Sequence, residues 1–313
     1  MPQVNTVAGP VDARELGVTA IHERLLWGLP GWEHHAGVVF ERSEAFEKLK
    51  GDLLEFKRLG GDTVVDCTGM ASGRHVEFAQ ALSRATGVRI VCCTGLGAEQ
   101  EIPGYFWPDR FRTIEQVTGV YAGEVERGMS VPYMRRTAAR AGLIKAANGP
   151  GRVSEVEELL LRAAGRAGKR TGVAVTTYGA SMGRRQLELL GEEGVPADRV
   201  IVGGADEESD PQRDRELAGR GAYVAYDSAA AEGRDLGRWA EAVRAMVQAG
   251  LADHVLVSAG TVGYALGQPQ PPRGVAWLLS DVAPALRRAG VGESTLQTIL
   301  VENPRRILGV ASP

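Results

Sequence analysis

Cysteine is scarce in this chain of 313 residues, and the three present are Cys67, Cys92 and Cys93. An odd number, two of them adjacent and all inside strand-like runs, argues against a disulfide framework and reads as small core side chains rather than reactive thiols. No apolar run approaches the roughly 20 residues needed to cross a bilayer, and the first residues lack the basic-then-apolar order of a secretion signal. A cytoplasmic protein is expected. Charge of either sign is also lacking in excess: the net charge is −3 and the pI about 6.0. Neither nucleic acid nor an anionic membrane has an electrostatic reason to bind, which leaves small molecules as the expected partners. What is there is 44% hydrophobic and 24% charged residues, enough to bury a large core.

The apolar pattern alternates between two periods along the whole chain. Short continuous runs at 18–22, 62–67, 88–94, 141–147, 173–177, 199–203, 223–226 and 254–258 read as strands. Each is followed by a segment with helical spacing, such as Phe46, Leu49, Leu53 and Phe56 after the first and the Ser154-Glu155-Val156-Glu157 capping box opening the fourth. Eight such pairs with no break predict an α/β protein, a single (β/α)8 TIM barrel, over an open sheet. Residues 1–16 are then an N-terminal segment, 17–290 the barrel, and 291–313 a last helix, 294–300, with a tail; one domain spans 1–313.

Chemistry in such barrels sits where strands end, so candidates follow from position alone. The potentially reactive ones are His22, Lys145, Tyr178 and Asp227. Arg24, Cys67, Leu96, Gly204, Ser228, Ser258, Ala259 and Gly260 are expected to line a pocket, and the run of small residues on late strands predicts an open space there. Lys145 is the conspicuous one, a lone charge inside Ala141-Gly142-Leu143-Ile144-Lys145-Ala146-Ala147, where it needs a partner or an active-site role. His34 and His35 read as solvated loop residues, and His75 and His254 lie at element starts. The aromatic residues Trp27, Trp32, Tyr105, Phe106 and Trp107 read equally as pocket rim or dimer contact.

Several stretches carry a resemblance. Asn5-Thr6-Val7 with Gly9-Pro10-Val11, Leu16-Gly17-Val18-Thr19 leading into His22-Glu23, the lysine strand, and the terminal Glu302-Asn303-Pro304-Arg305-Arg306 resemble the phosphotriesterase family of the amidohydrolase superfamily, from end to end. The resemblance implies a homodimer and two divalent metals activating a bridging hydroxide against phosphotriesters, lactones or other esters. It implies ligands from a His-x-His pair, a carboxylated lysine, two single histidines and an aspartate. His22 matches the first histidine and Lys145 the lysine. The second histidine's place holds Arg24, the fifth strand offers Tyr178, the sixth Gly204, and strand eight reads Ser258-Ala259-Gly260. An arginine usual after strand seven is Ser228, and a tyrosine some members carry after the third strand is replaced near Leu96.

With four of six ligands absent, the expectation is a dismantled metal pair and no cofactor, with His22 and Lys145 as remnants. The pattern reads as a lineage that left metal chemistry or, the favoured reading, as a barrel mouth engineered around a new substrate. Lys145, desolvated beside Arg24, is then a candidate amine nucleophile on a carbonyl substrate, as in a retro-aldolase, with Tyr178 and His22 moving protons. The plainer alternative pairs Lys145 with Asp66 or Asp227, and Arg24 with Glu23 or Asp227, in a non-catalytic barrel. Two others remain: a residual metal hydrolase, and a metal-free esterase in which His22 serves Ser228, Ser258 or Cys67.

Overall fold

The computed structural model describes residues 1–102, 113–131 and 135–311. Eight positions around a closed sheet are filled by parallel strands: β3 (Val18–Gly28), β4 (Gly61–Asp66), β5 (Arg89–Gly95), β8 (Leu143–Ala147), β9 (Val175–Tyr178), β10 (Val200–Val202), β11 (Tyr223–Tyr226) and the pair β12 (Val255–Val257) and β13 (Val262–Leu266). Before the barrel, β1 (Gln3–Thr6) and β2 (Gly9–Asp12) form an antiparallel hairpin, and β6 (Ser130–Val131) pairs with β7 (Arg135–Arg136). The helices are α1 (Arg42–Arg58), α2 (Val76–Thr86), α3 (Ile114–Glu126), α4 (Glu155–Thr171), α5 (Gly183–Glu192), α6 (Pro211–Gly219), α7 (Leu236–Gln248), α8 (Ala283–Arg288), α9 (Glu293–Gln297) and α10 (Asn303–Leu308). The fold is the (β/α)8 barrel that the alternation predicts.

Adjacent strand residues face opposite sides, which is why the strands are apolar throughout. Val64, Ile90, Cys92 and Ile144 pack in the layer under the helices, whereas Val65, Val91, Cys93 and Leu143 fill the barrel with Ile201, Ala225 and Leu256. The same parity turns Lys145, two residues after Leu143, toward the barrel interior. The N-terminal hairpin and α10 close the opposite end, with Val4, Leu16, Ile307 and Leu308 in the interior cluster.

Two departures from the expected elements have local causes. The eighth strand is broken: β12 pairs with β11, the chain bends through 258–261, and β13 then pairs with the outer half of β3, from Val262 opposite Arg24 to Leu266 opposite Gly28. Strand β3 therefore runs to Gly28, well past the predicted 18–22, because β13 gives its outer half a partner. The helical segment that leads into α8 and the helix expected at 294–300 are each interrupted by a wide π-type turn, Leu278–Val282 and Thr298–Glu302, just before Pro284 and Pro304. Proline lacks an N–H and its ring crowds the carbonyl one turn back, so the helix widens there. Helix α9 starts at Glu293 without a side-chain capping bond. Among the described residues no helix is long and apolar enough to cross a membrane.

Candidate functional site

A register shift of β3 against β4 between Ala20 and Glu23 re-aims the residues at the end of the first strand. His22 Nδ1 is in contact with Asp227 Oδ2, just past β11, and both side chains are almost fully buried. Asp227 is held in turn by the Gly204 N–H, which donates to its Oδ1 at 2.8 Å. A carboxylate opposite Nδ1 fixes the imidazole proton on that nitrogen and leaves the lone pair on Nε2. That Nε2 is buried and has no hydrogen-bond partner among the described residues. Burial pushes the His22 pKa below the ordinary histidine value, against the pull of Asp227.

Next to His22, the Glu23 carboxylate holds the bend in the eighth strand. It accepts from Ser258 Oγ at 2.7 Å, Ala259 N at 3.0 Å, Gly260 N at 3.3 Å, and Thr261 N and Oγ1 at 2.6 and 2.5 Å. Burial raises its pKa to about 7 while these donors oppose the rise. Ser258 Oγ also accepts from the backbone N–H of His22 at 3.0 Å. Asp206 does for the seventh strand what Glu23 does for the eighth, accepting from Ser228 N at 2.9 Å and Trp239 Nε1 at 2.6 Å.

Above this layer the mouth has two lobes, of about 260 Å³ and about 320 Å³, which share Arg24, Tyr178 and Glu207. Lys145, Gly204 and Asn148 line the first, Ser228, Gly260 and Thr261 the second. The Tyr178 hydroxyl donates to Glu207 Oε1 at 2.5 Å, its ring meets the His22 ring edge-on at 5.5 Å, and burial raises its pKa. The phenol proton is thus committed to Glu207. Lys145 Nζ donates to the Cys67 carbonyl at 3.1 Å, and no carboxylate among the described residues lies within ion-pair distance of it. Asp66 is taken by Thr68 and the Leu25 N–H, and Asp227 by His22. The Arg24 guanidinium sits 6.0 Å from the centre of the Tyr178 ring and likewise makes no ion pair among the described residues. The pairings of Lys145 with Asp66 or Asp227, and of Arg24 with Glu23 or Asp227, are not formed.

Four residues expected in the pocket lie in the core instead. Cys67, Leu96, Ser258 and Ala259 are buried and outside both lobes' linings: Cys67 packs in the barrel interior, Leu96 in the layer under the helices, and Glu23 holds 258–259. The serine and cysteine nucleophiles fail on the same ground. Ser258 is spent on Glu23, Ser228 accepts from Arg234 at 2.8 Å, and burial raises the Cys67 thiol pKa well above its ordinary value. None of them reaches His22 Nε2. Gly260 is more than a deletion that leaves space. Its φ is +70° and a Cβ there would lie 1.9 Å from the Asp227 carbonyl, so this backbone admits no aspartate at that position. Trp32 packs on Phe40, and Tyr105, Phe106 and Trp107 lie outside the described residues. His34 and His35 are exposed, and His75 caps α2.

The donors do not fit a pair of divalent ions. Catalytic metals take about three protein ligands each, whereas His22 Nε2 is the one unpartnered imidazole nitrogen at the mouth among the described residues and Asp227 is already used on both oxygens. No group of three or more His, Cys, Asp or Glu side chains among the described residues is placed to hold an ion.

Sequence reasoning found His22, Lys145, Tyr178 and Arg24 at one mouth but missed Glu23 and Glu207, whose roles depend on contacts far along the chain. A model of the phosphotriesterase family matches residues 2–308. A phosphotriesterase homology protein of Mycobacterium tuberculosis is 30% identical, with 98% of each chain covered. An aryldialkylphosphatase of Saccharolobus solfataricus is 26% identical over 95% of this chain and 96% of its own. A mutant of a PTE-like lactonase from Deinococcus radiodurans superimposes with a TM-score of 0.89 at 28% identity, covering 98% of this chain and 100% of that one. A match of this extent, on a closed barrel with His22 on its first strand and Lys145 on its fourth, makes the chain a member of the phosphotriesterase family.

Proposed function

We propose that the chain hydrolyses a small ester or lactone without a metal pair. The observation that carries this reading is the buried His22–Asp227 pair, whose Nε2 has no partner among the described residues and whose ring packs against Tyr178, a lining residue of the cavity shared with Arg24 and Lys145. Nε2 takes a proton from a water molecule as its oxygen attacks the carbonyl carbon. Arg24 and Lys145 stabilise the oxyanion that forms, and the proton passes to the leaving oxygen as the C–O bond breaks. The relatives named lactonase and aryldialkylphosphatase support a hydrolytic substrate, while the donor set at the mouth among the described residues supports chemistry by side chains alone. A panel of lactones and aryl esters, assayed with chelator present, tests it. Turnover should survive the chelator and fall by about 10²–10⁴-fold in His22→Asn. No turnover, turnover abolished by the chelator, or turnover indifferent to His22→Asn overturns the reading.

A second reading rests on Lys145, whose amine lines the first lobe with a backbone carbonyl as its partner and no carboxylate within reach among the described residues. It is the amine nucleophile of a retro-aldolase-like reaction, condensing with a carbonyl substrate and releasing water. Borohydride reduction in the presence of a small ketone or aldehyde should add the carbonyl compound's mass at Lys145 and leave Lys145→Met unlabelled; an unlabelled Lys145 ends this reading.

A further inference from the structure

We infer that the second lobe of the mouth is an oxyanion subsite, which takes a phosphate or carboxylate group carried by the substrate. The inference builds on the reading of the mouth as a substrate site. Three guanidiniums from separate parts of the chain line this lobe: Arg24 on β3, Arg234 between β11 and α7, and Arg273 after β13. Among the described residues none of the three is ion-paired. Neutral groups hold two of them. Arg234 donates to the Asp206 carbonyl at 2.5 Å and to Ser228 Oγ at 2.8 Å; Arg273 donates to the Ala230 carbonyl at 3.0 Å and lies over the Trp277 ring at 4.5 Å. A guanidinium has five N–H donors, so each keeps some for a ligand while its position is already fixed.

The charge balance singles out this lobe. Glu207 is its one carboxylate among the described lining residues, and it already accepts from Tyr178. Three cations facing one engaged carboxylate leave a positive cavity that a neutral ligand would not compensate. The first lobe differs, since Glu101, Glu207 and Glu208 line it against Arg24 and Lys145. Arg24 and Tyr178 border both lobes, so an anionic group in the second places the rest of the molecule in the first, beside Lys145. The substrate class narrows accordingly to an ester or lactone bearing an oxyanion a few bonds from the reacting carbonyl.

Calorimetric titration of the full chain with inorganic phosphate and, separately, with acetate at low salt tests the subsite. Saturable binding is expected for at least one of the two, and the stronger of them names the anion. Arg273→Leu should weaken it by roughly tenfold or more, with part of the loss recovered in Arg273→Lys, and Arg234→Leu should act likewise. Among the described residues Arg273 bonds to one carbonyl and stacks on one ring, so its variants are expected to keep the parent's melting temperature; if Arg234→Leu unfolds, Arg273→Leu still decides. No saturable binding of either anion, or binding unchanged in the arginine variants, overturns the subsite. Because the readout is binding, a chain that takes phosphate but hydrolyses nothing sinks the hydrolase reading and leaves the subsite standing. Hydrolysis of neutral esters without anion binding does the reverse.

Discussion

Arg74 and Arg24 carry the same charge in two regions of one barrel and are treated in opposite ways. Arg74, in the wall between β5, α2 and α3, is almost wholly buried and paired with an acid: it donates to both oxygens of Glu124, at 2.6 and 2.9 Å, and to the carbonyls of Cys93 and Ser130. Glu124 accepts in addition from Ser130 N and Oγ, and Arg74 with these bonds holds its pKa down at about 2 despite burial. Among the described residues Arg24, at the mouth, is half-buried with no acid partner, and its neighbour His22 has a buried nitrogen without a hydrogen bond. Groups in the wall complete one another and so hold the fold. Those at the mouth are fixed in place but left incomplete, which is what a ligand site requires of them.

Removing Arg74 should have the largest effect of any change in either region. Arg74→Leu strands a buried carboxylate and should cost about 3–5 kcal/mol in chemical denaturation, whereas Arg24→Leu, which strands nothing, should cost about 1 kcal/mol or less. Equal losses would mean that Arg24 has a structural role. Glu23 sits between the two cases, a saturated carboxylate that shapes the mouth. Glu23→Gln keeps one acceptor and points an N–H₂ group at backbone donors, which should cost about 1–3 kcal/mol. Its effect should also show as loosened amide-exchange protection at 259–261, and unchanged protection there would refute the role assigned to Glu23.

The same division explains what the sequence made legible. The barrel could be read because every strand is short, apolar on both faces and followed by a helical period, a pattern repeated by local residues alone. His22, Lys145, Arg24 and Tyr178 could be placed at one end because strand ends are countable. Glu23 could not be assigned its loop, since its donors lie some 236 residues away and nothing local distinguishes it from a surface glutamate. The His22–Asp227 contact was hidden for the same reason, being made across 205 residues. The break in the eighth strand left no signal except Gly260, which looks in sequence like a missing ligand and proves in structure to be a backbone requirement.

The smallest expected effect bears on the incomplete side of the comparison. His22 titrates below the ordinary histidine value, chiefly because burial penalises the imidazolium and only partly because Asp227 opposes this. Between its folded value and about 6.5, the unfolded chain therefore binds more protons at this site than the folded one. Stability from this group is fully present above about pH 6.5 and is lost as the pH falls, by about 1.4 kcal/mol for each unit by which the value is lowered. Melting temperatures should fall faster on acidification below pH 6.5 in the parent than in His22→Asn, which has no proton to take up. The acid limb of kcat/KM should lie below the usual histidine value for the same reason. Parallel acid profiles in the two proteins would mean that His22 takes up its proton as readily in the folded chain as in the unfolded one, and that burial does not hold it neutral at this mouth.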